Sequence, residues 1–202
     1  MLPIPSKFKV AKRLGAAIFE KTQSQKFAMS EARSAKNKKG RRGGSDYGKQ
    51  MLEKQKVRFT YSIAERQLYR YAHEAMEEKD QLNALHQALE MRLDSVAYRL
   101  GFAKTRRHAR QLSSHGHFTV NGKKTTIPSQ RLYEGDVVAV RDGSRASGPF
   151  STLTNKEGEV QAVPNWLVLD DSRVLGTVKA TPRYEAGMTH LDYASVFEFY
   201  NR

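Results

Sequence analysis

Arginine side chains recur at helical spacing in the middle of the sequence, where they could bind the phosphates of a nucleic acid. Arg106 and Arg110 are four residues apart and Arg107 and Arg110 are three apart, so a helix would bring all three to one side. Guanidinium groups on a short helix can bind phosphate oxygens through paired hydrogen bonds. A solvated basic helix would have the same spacing, but the cluster as a whole favours RNA contact.

The residues around this cluster predict a small α+β module. Thr105 is typical of an N-cap, so a short helix is expected from there through Ser114. Asn121-Gly122 predicts a type I′ turn between two short strands, because both residues tolerate positive φ. A further strand is expected at residues 137–140. Residues 92–141 therefore predict helix, helix, hairpin and strand.

The flanking segments predict a helical region before the module and strands after it. Apolar residues recur at helical spacing from about Asp46 through Ala75 and again from Leu82 to Leu100. Gly101 is expected to end the second run. Residues 166–169 and 174–178 form short apolar runs that suggest strands, and residues 196–200 are expected to form a packed terminal segment.

The charge of the chain points to a polyanionic partner. The 202 residues carry a formal net charge of +14, and nucleic acid ranks ahead of a membrane surface as the partner of such a protein. Residues 1–60 hold 16 basic and 4 acidic side chains, whereas residues 151–202 hold 5 and 7. Like charges repel, so we expect residues 1–45 to be a basic arm that is ordered by its partner.

Composition excludes several classes of protein. The chain has no cysteine, which excludes disulfides, cysteine–zinc sites and a thiol nucleophile. No stretch approaches the ~20 consecutive apolar residues of a membrane-spanning helix. Residues 1–19 are basic and contain no acid, as in some transit peptides, but the basic pattern continues well past the usual end of such a segment.

Four features could suggest a catalytic or metal site but have simpler interpretations. The histidines at 108, 115 and 117 lack the thiols of common zinc sites, so RNA-facing or structural roles are favoured. Residues 122–125 lack the spacing of a phosphate-binding loop. Asp170 and Asp171 are typical of a turn, and Trp166 is more typical of a core than of a stacking surface. We therefore expect no catalytic residue, metal, cofactor, small-molecule substrate or membrane partner.

Residues 92–103 (RLDSVAYRLGFA) resemble the signature of bacterial small-subunit ribosomal protein four, the uS4 family. The resemblance continues through residues 105–106, 109–112, 114–117, 120–123 and 127–129. The same RNA-binding module occurs in pseudouridine synthases, a tyrosyl-tRNA synthetase and a heat-shock RNA binder. Residues 13–15, 45–48, 53–56, 65–67, 164–167 and 199–202 resemble segments of the ribosomal protein itself, so the resemblance spans nearly the whole chain.

The resemblance implies a helical domain interrupted by the small module, with the two ends of the chain packed together. The expected division is a basic arm at residues 1–45, a helical domain at 46–91, the RNA-binding module at 92–155, and a C-terminal segment at 156–202 that packs back on the helical domain. The expected fold class is α+β, with a short β-containing C-terminal segment.

The resemblance also implies a function and partners. Members bind a multi-helix junction in the 5′ domain of small-subunit ribosomal RNA early in assembly. Their protein neighbour is small-subunit ribosomal protein five, and they lie near the channel through which messenger RNA enters. The expected role is therefore a structural ribosomal protein of the cytoplasm, with an organelle as the alternative compartment. The alternative functions are an RNA-modifying enzyme and a stand-alone RNA-binding factor that use the same module.

The sequence departs from the family pattern in three places. Many relatives have zinc-binding cysteines near the start, and this chain has none. The family's loop before Ser45 is replaced here by residues 40–44, Gly-Arg-Arg-Gly-Gly. An acid often follows the capping threonine by three residues, whereas this chain has His108, so the capping box is missing while the helix start becomes more basic.

The predicted RNA-binding residues are the basic, polar and aromatic side chains of the basic segment, the helical domain and the module. They are Lys38, Lys39, Arg41, Arg42, Ser45, Tyr47, Lys54, Lys56, Arg58, Arg66, Arg92, Arg99, Lys104, Arg106, Arg107, Arg110, Gln111, His115, His117, Asn121, Lys123, Lys124 and Ser129. Phosphate contact is favoured for the first four because residues 36–44 are strongly cationic.

Overall fold

The chain forms two compact units in a computed structural model that describes residues 4, 6–36, 45–146, 150, 162–185, 187 and 189–201. One unit comprises residues 1–85 with 184–202, and the other comprises residues 86–183. The first is helical and the second combines helices with a sheet, so the predicted α+β class is confirmed. Among the described residues, no helix has the length and apolar character needed to span a membrane.

The N-terminal part of the first unit folds around a small apolar cluster, against which Leu52 and Phe59 also pack. Its helical segments are α1 (Lys7–Leu14), 3₁₀ turns at Ala16–Ile18 and Glu20–Gln23, and α2 (Gln25–Lys36). Five buried side chains form the cluster: Ala11, Leu14, Ile18, Phe19 and Phe27. Residues 6–36 are therefore more ordered than the arm expected from their charge, because apolar residues at helical spacing lie between the lysines.

Three further helices complete the first unit: α3 (Asp46–Thr60), α4 (Glu65–Met76) and the C-terminal α9 (Tyr193–Tyr200). Helix α3 begins at Ser45, whose hydroxyl accepts a hydrogen bond from the Gly48 amide at 3.2 Å. Helix α9 contacts both α3 and α4, and its buried Tyr193 packs beside Tyr184, with the two ring centroids 4.9 Å apart. Helix α9 therefore packs as the last helix of the helical unit.

The second unit consists of short helices and an antiparallel sheet. Its helices are α6 (Leu93–Arg99), α7 (Arg106–Ser114) and α8 (Asp142–Arg145), and α5 (Gln81–Glu90) contains the boundary between the units. Its strands are β1 (Phe118–Val120), β2 (Lys123–Thr125), β3 (Val137–Val140), β4 (Leu167–Leu169) and β5 (Leu175–Val178), in the order β2-β1-β3-β5-β4. Asn121 and Gly122 have φ values of 51° and 78°, so the predicted type I′ hairpin is present.

The division of the chain after residue 155 differs from the predicted one. Strand β5 pairs with β3, with Val138 opposite Gly176, and β4 pairs with β5. Residues 162–183 therefore belong to the second unit, and the segment that returns to the helical unit begins at Tyr184. An apolar run indicates a strand but not the strand with which it pairs, so the sequence pattern left this boundary open.

The periodic run from Leu82 to Leu100 is interrupted at one point. Arg92 adopts an extended conformation between α5 and α6, with φ −82° and ψ 145°. On either side of it, the Leu93 amide donates to the Gln130 carbonyl and the Leu132 amide donates to the Met91 carbonyl. These bonds fix the start of α6 against the segment that follows the hairpin. Helix α6 ends at Arg99, and Gly101 follows its C-cap residue with a φ of 79°.

Gly176 allows α6 to approach the sheet closely. A β-carbon at this position would lie 2.6 Å from Leu100 Cδ1, and Leu100 is only 2% exposed. We expect Gly176→Ala to lower the free energy of unfolding by about 1–3 kcal/mol, because overpacking a filled core forces neighbouring side chains to shift. Urea unfolding followed by the fluorescence of Trp166, the chain's only tryptophan, measures this change in the second unit.

Gly143→Ala is the matched control for this substitution. Gly143 lies in α8, and no atom lies within 4 Å of its hypothetical β-carbon. The free energy of unfolding of the Gly143→Ala variant should stay within about 0.5 kcal/mol of the wild-type value. Equal stability of the two variants would contradict the close-approach argument.

Candidate nucleic-acid interface

Helix α7 presents the arginines that the sequence predicted. The Thr105 hydroxyl accepts a hydrogen bond from the His108 amide at 3.1 Å, which satisfies one of the free donors at the helix start. Ala109 and Leu112 are buried, so this face packs on the core. The opposite face holds the side chains that were expected to meet phosphate.

Glu90 is a buried carboxylate that binds two of these arginines. Its side chain is only 1% exposed, whereas Arg99 and Arg106 are 32% and 11% exposed. Arg99 donates from Nε and Nη2 at 2.9 and 2.8 Å, and Arg106 donates from Nη2 at 2.8 Å. One acid at the end of α5 therefore fixes the guanidinium groups of α6 and α7.

Asp94 binds a second pair of arginines in the same way. Arg92 donates to its two oxygens from Nε and Nη2, both at 3.0 Å, and Arg110 donates from Nε at 2.7 Å. Asp94 lies in the first turn of α6, where the helix dipole stabilises negative charge. Four guanidinium groups are thus oriented by two carboxylates, which leaves a local excess of positive charge.

Burial changes the interpretation of two predicted RNA-binding residues. Arg92 is 3% exposed and Lys54 is 7% exposed, so neither offers its charge at the surface. Arg92 pairs with Asp94, and Lys54 Nζ lies 2.6 Å from Glu65 Oε1. We therefore correct the prediction that Arg92 and Lys54 contact RNA directly, because each forms an ion pair with an acid of its own unit.

Glu65 joins three helices of the first unit. It binds Lys54 and, at 3.6 Å, Arg58 Nη1 from α3, and it accepts a hydrogen bond from the Tyr200 hydroxyl of α9 at 2.9 Å. Burial and the charge of Glu65 raise the pKa of Tyr200, so the phenol remains a neutral donor. Lys54 Nζ also lies 4.2 Å from the centroid of the Phe199 ring, which adds a cation–π contact.

The other predicted residues of the first unit lie nearer the surface. Ser45 caps α3, Tyr47 is 49% exposed and stacks on Phe199 at 5.5 Å, and Lys56 pairs with Glu53. Arg66 is exposed on α4. Lys38, Lys39, Arg41 and Arg42 lie outside the described residues, so their predicted phosphate contacts stay predictions.

The hairpin carries two exposed lysines directly after its turn. Lys123 and Lys124 are exposed on the edge strand β2. Asn121 Nδ2 donates to Asp136 Oδ1 at 2.8 Å, and Asn121 Oδ1 accepts from the Val137 amide at 2.9 Å. Asn121, which was predicted to contact RNA, therefore also has a structural role, because it connects the hairpin to the start of β3.

The remaining predicted residues of the module lie on or near its surface. Lys104, Gln111 and His115 are exposed, whereas Arg107, His117 and Ser129 are half-buried. His117 Nδ1 lies 3.0 Å from the Ser144 hydroxyl, and burial, followed by the charges of His115, Arg141 and Lys124, lowers its pKa. In the part of the chain that the structure describes, no three histidine or acidic side chains form a group that could hold a metal ion.

The sequence prediction missed residues of two kinds. Glu90 and Asp94 position the arginines, and an acid within each apolar helical run was the available signal. Arg131 and Tyr133 are exposed within the module, with Arg131 Cζ 5.9 Å from the centroid of the Tyr133 ring. Nothing in their spacing marks them, because the segment between β2 and β3 has no regular period.

Comparison with known proteins agrees with this geometry. A family model described as "Ribosomal protein S4/S9 N-terminal domain" matches residues 4–90, and one described as "S4 domain" matches residues 91–138. A protein of Roseiflexus sp. (strain RS-1), named small ribosomal subunit protein uS4, is 42% identical over 198 residues, which is 96% of each chain. The chain belongs to the uS4 family. The uS4 protein of Akkermansia muciniphila is 40% identical over 195 residues, also 96% of each chain.

Membership of the uS4 family confirms the predicted resemblance and the RNA-binding class of the module. A further uS4 relative, from Herpetosiphon aurantiacus, is 46% identical over 164 residues, which is 80% of this chain and 78% of the relative. These relatives bear the name of a structural ribosomal protein and not that of an enzyme, in agreement with the non-catalytic role expected from the sequence.

The burial of His86 predicts that the stability of the second unit depends on pH. It is 6% exposed, and burial, the largest cause, lowers its pKa from 6.5, with Arg99 and Arg106 acting in the same direction and Glu90 opposing them. Below about pH 6.5 the unfolded chain binds a proton that the folded chain excludes, so stability falls as the pH drops. We expect His86→Gln to reduce the loss of stability between pH 7.5 and 5.5, measured by urea unfolding at both values.

His108→Gln is the control, because it removes a histidine of the same unit that is only half-buried. This variant should keep the wild-type difference between the two pH values. An unchanged pH dependence in His86→Gln would contradict the assignment to His86.

Proposed function

We propose that this chain is a structural protein of the small ribosomal subunit that binds 16S ribosomal RNA directly and nucleates subunit assembly. The proposed binding site is the multi-helix junction of the 5′ domain, and the proposed setting is the bacterial cytoplasm. The observation that carries the proposal is the set of arginines on α6 and α7 whose orientations Glu90 and Asp94 fix. The names of the relatives support the ribosomal assignment.

Fixed guanidinium groups suit the recognition of folded RNA. The major groove of an A-form helix is too narrow for side chains to read, so the positions of phosphates and exposed loops carry the information. A flexible lysine could meet one phosphate in many geometries, whereas an arginine already held by a carboxylate selects a narrow range of geometries. The arrangement therefore favours a particular RNA shape over polyanions in general.

We also propose small-subunit ribosomal protein five as a protein partner and a position near the channel through which messenger RNA enters. Residues 151–202 carry more acidic than basic side chains, and this charge disfavours RNA as the partner of that part of the chain. A protein partner for these residues suits the balance of charge, with the basic segments left for RNA.

The proposal predicts selective, salt-dependent binding. The full chain should bind a transcript of the 5′ domain of small-subunit ribosomal RNA more tightly than a random-sequence RNA of equal length. The logarithm of the affinity should fall by roughly 0.7–0.9 per phosphate contact for each decade of salt, because each contact releases counterions. Filter binding at several salt concentrations measures both quantities, and equal affinity for the two RNAs would overturn the proposal.

Two single variants act as a matched pair in this assay. Arg107→Ala removes a charge from the proposed interface on α7. The magnitude of the slope of log affinity against log salt should decrease by the contribution of one phosphate contact, roughly 0.7–0.9. Lys79→Ala removes an exposed charge that neighbours Glu77, Glu78 and Asp80 in sequence, and its slope should equal that of wild type.

Glu90→Gln separates the effect of arranged arginines from the effect of net charge. The substitution makes the chain more positive, so net charge alone predicts tighter RNA binding. Loss of the carboxylate that holds Arg99 and Arg106 predicts the opposite, and we expect affinity for the 5′-domain transcript to fall roughly tenfold, equivalent to about 1.4 kcal/mol. The free energy of unfolding should also fall, because two partly buried arginines lose their counterion.

Glu78→Gln is the control with the same change of charge. Glu78 is exposed in the turn after α4, so its loss should leave RNA affinity unchanged or slightly raised. RNA binding is measured at a temperature well below the thermal unfolding midpoints of both variants, so that both are folded. Tighter binding by Glu90→Gln would show that net charge, and not arrangement, governs affinity.

A further inference from the structure

Helix α4 carries a surface cavity that none of the preceding interactions uses. The cavity has a volume of about 630 Å³ and is lined by Ala64, Arg66, Gln67, Tyr69, Arg70, His73, Glu74 and Glu77. Ligand sites in proteins commonly have volumes of about 300–1,000 Å³. The lining combines the aromatic faces of Tyr69 and His73 with charged side chains, which suits a planar ligand that carries a charged group.

Tyr69 is an exposed ring held in a fixed orientation. It is 50% exposed, its centroid lies 4.1 Å from that of His73, and Tyr200 meets it edge-on at 5.5 Å with an interplanar angle of 88°. The orientation of Tyr200 is itself fixed by its hydrogen bond to Glu65. A ring that is immobilised but half exposed is suited to stacking, because little side-chain entropy remains to be lost when a ligand binds.

The cavity lining holds two arginines, Arg66 and Arg70, and two acids, Glu74 and Glu77. Arg66 lies one turn before Tyr69 and is exposed, and no acid of the described chain lies within ion-pair distance of it. Arg70 is 63% exposed, and its Nε lies 3.4 Å from Glu74 Oε1, a weak surface pair. An aromatic ring with an available arginine one turn away matches a base and its adjacent phosphate.

We propose that Tyr69 stacks on an unpaired base of the bound ribosomal RNA, with Arg66 binding the phosphate beside that base. This site lies in the helical unit, separate in sequence from the arginines of α6 and α7, and the inference rests on the proposed RNA-binding function. It adds a stacking contact with a single-stranded nucleotide to the phosphate contacts proposed for the arginines of α6 and α7.

Variants at Tyr69 test the stacking in the full chain with the 5′-domain transcript. Tyr69→Leu keeps an apolar side chain against His73 and Tyr200 but removes the aromatic face, and we expect affinity to fall about 5- to 30-fold, in the range measured for loss of one stacked base. The slope of log affinity against log salt should not change, because stacking releases no counterions. Tyr69→Phe keeps the ring and should bind as wild type does.

Tyr69→Trp supplies a direct signal from the site. Its fluorescence, after subtraction of the Trp166 emission recorded for wild type, should be quenched when the transcript binds. Binding without quenching overturns the proposal. The thermal unfolding midpoint of Tyr69→Leu provides the structural check, and reduced affinity in a variant with the wild-type midpoint supports stacking.

The outcomes distinguish this inference from the proposed function. If wild type prefers the 5′-domain transcript and Tyr69→Leu binds it equally well, the stacking site is overturned and the proposed function stands. If wild type has no preference, the proposed function fails and the stacking site fails with it. If Tyr69→Leu weakens binding of small-subunit ribosomal protein five but not of RNA, the surface is a protein interface and the proposal is overturned.

Discussion

The second unit depends on the neutralisation of two buried carboxylates. Moving a carboxylate out of water costs several kcal/mol unless charged partners and hydrogen bonds replace its hydration. Glu90 and Asp94 meet this requirement by binding Arg99 and Arg106, and Arg92 and Arg110. The same contacts connect the end of α5 to α6 and α7, so the charges that stabilise the module also fix the side chains expected to meet RNA.

In the first unit, the carboxylate of Glu65 likewise binds side chains from more than one helix. One carboxylate binds Lys54 and Arg58 of α3 and the phenol of Tyr200 on α9. Residues more than a hundred positions apart in sequence therefore meet at one acid, and α9 is held in place by polar contacts as well as by packing. The exposed face of α4 gains its fixed aromatic ring from this anchor, because Tyr200 packs edge-on against Tyr69.

The net charge of the chain and the arrangement of its charges contribute differently to RNA binding. Most of the excess positive charge lies in the first 60 residues, and it raises affinity for any polyanion. In the module the excess is smaller, since buried acids offset part of it, but its arginines are fixed. Selectivity for one RNA shape is therefore expected from the module, and general electrostatic attraction from the N-terminal segments.

The sequence by itself determined the local structure and the family. The Thr105 cap, the Asn121-Gly122 turn and the stop at Gly101 depend on residues close together in the chain, and the structure has all three. The motifs at residues 92–129 and at both ends sufficed to identify the uS4 resemblance. These features follow from backbone preferences and short-range hydrogen bonds, which a sequence pattern records directly.

Only the tertiary structure decided which charges reach the surface and where β4 and β5 belong. Arg92 and Arg99 look alike in sequence, yet one is buried against Asp94 and the other is partly exposed beside Glu90. Residues 166–169 and 174–178 had a strand pattern, but the pattern did not show that β5 pairs with β3 and β4 with β5. Such outcomes depend on contacts between distant segments, because burial and pairing are properties of the packed molecule and not of local spacing.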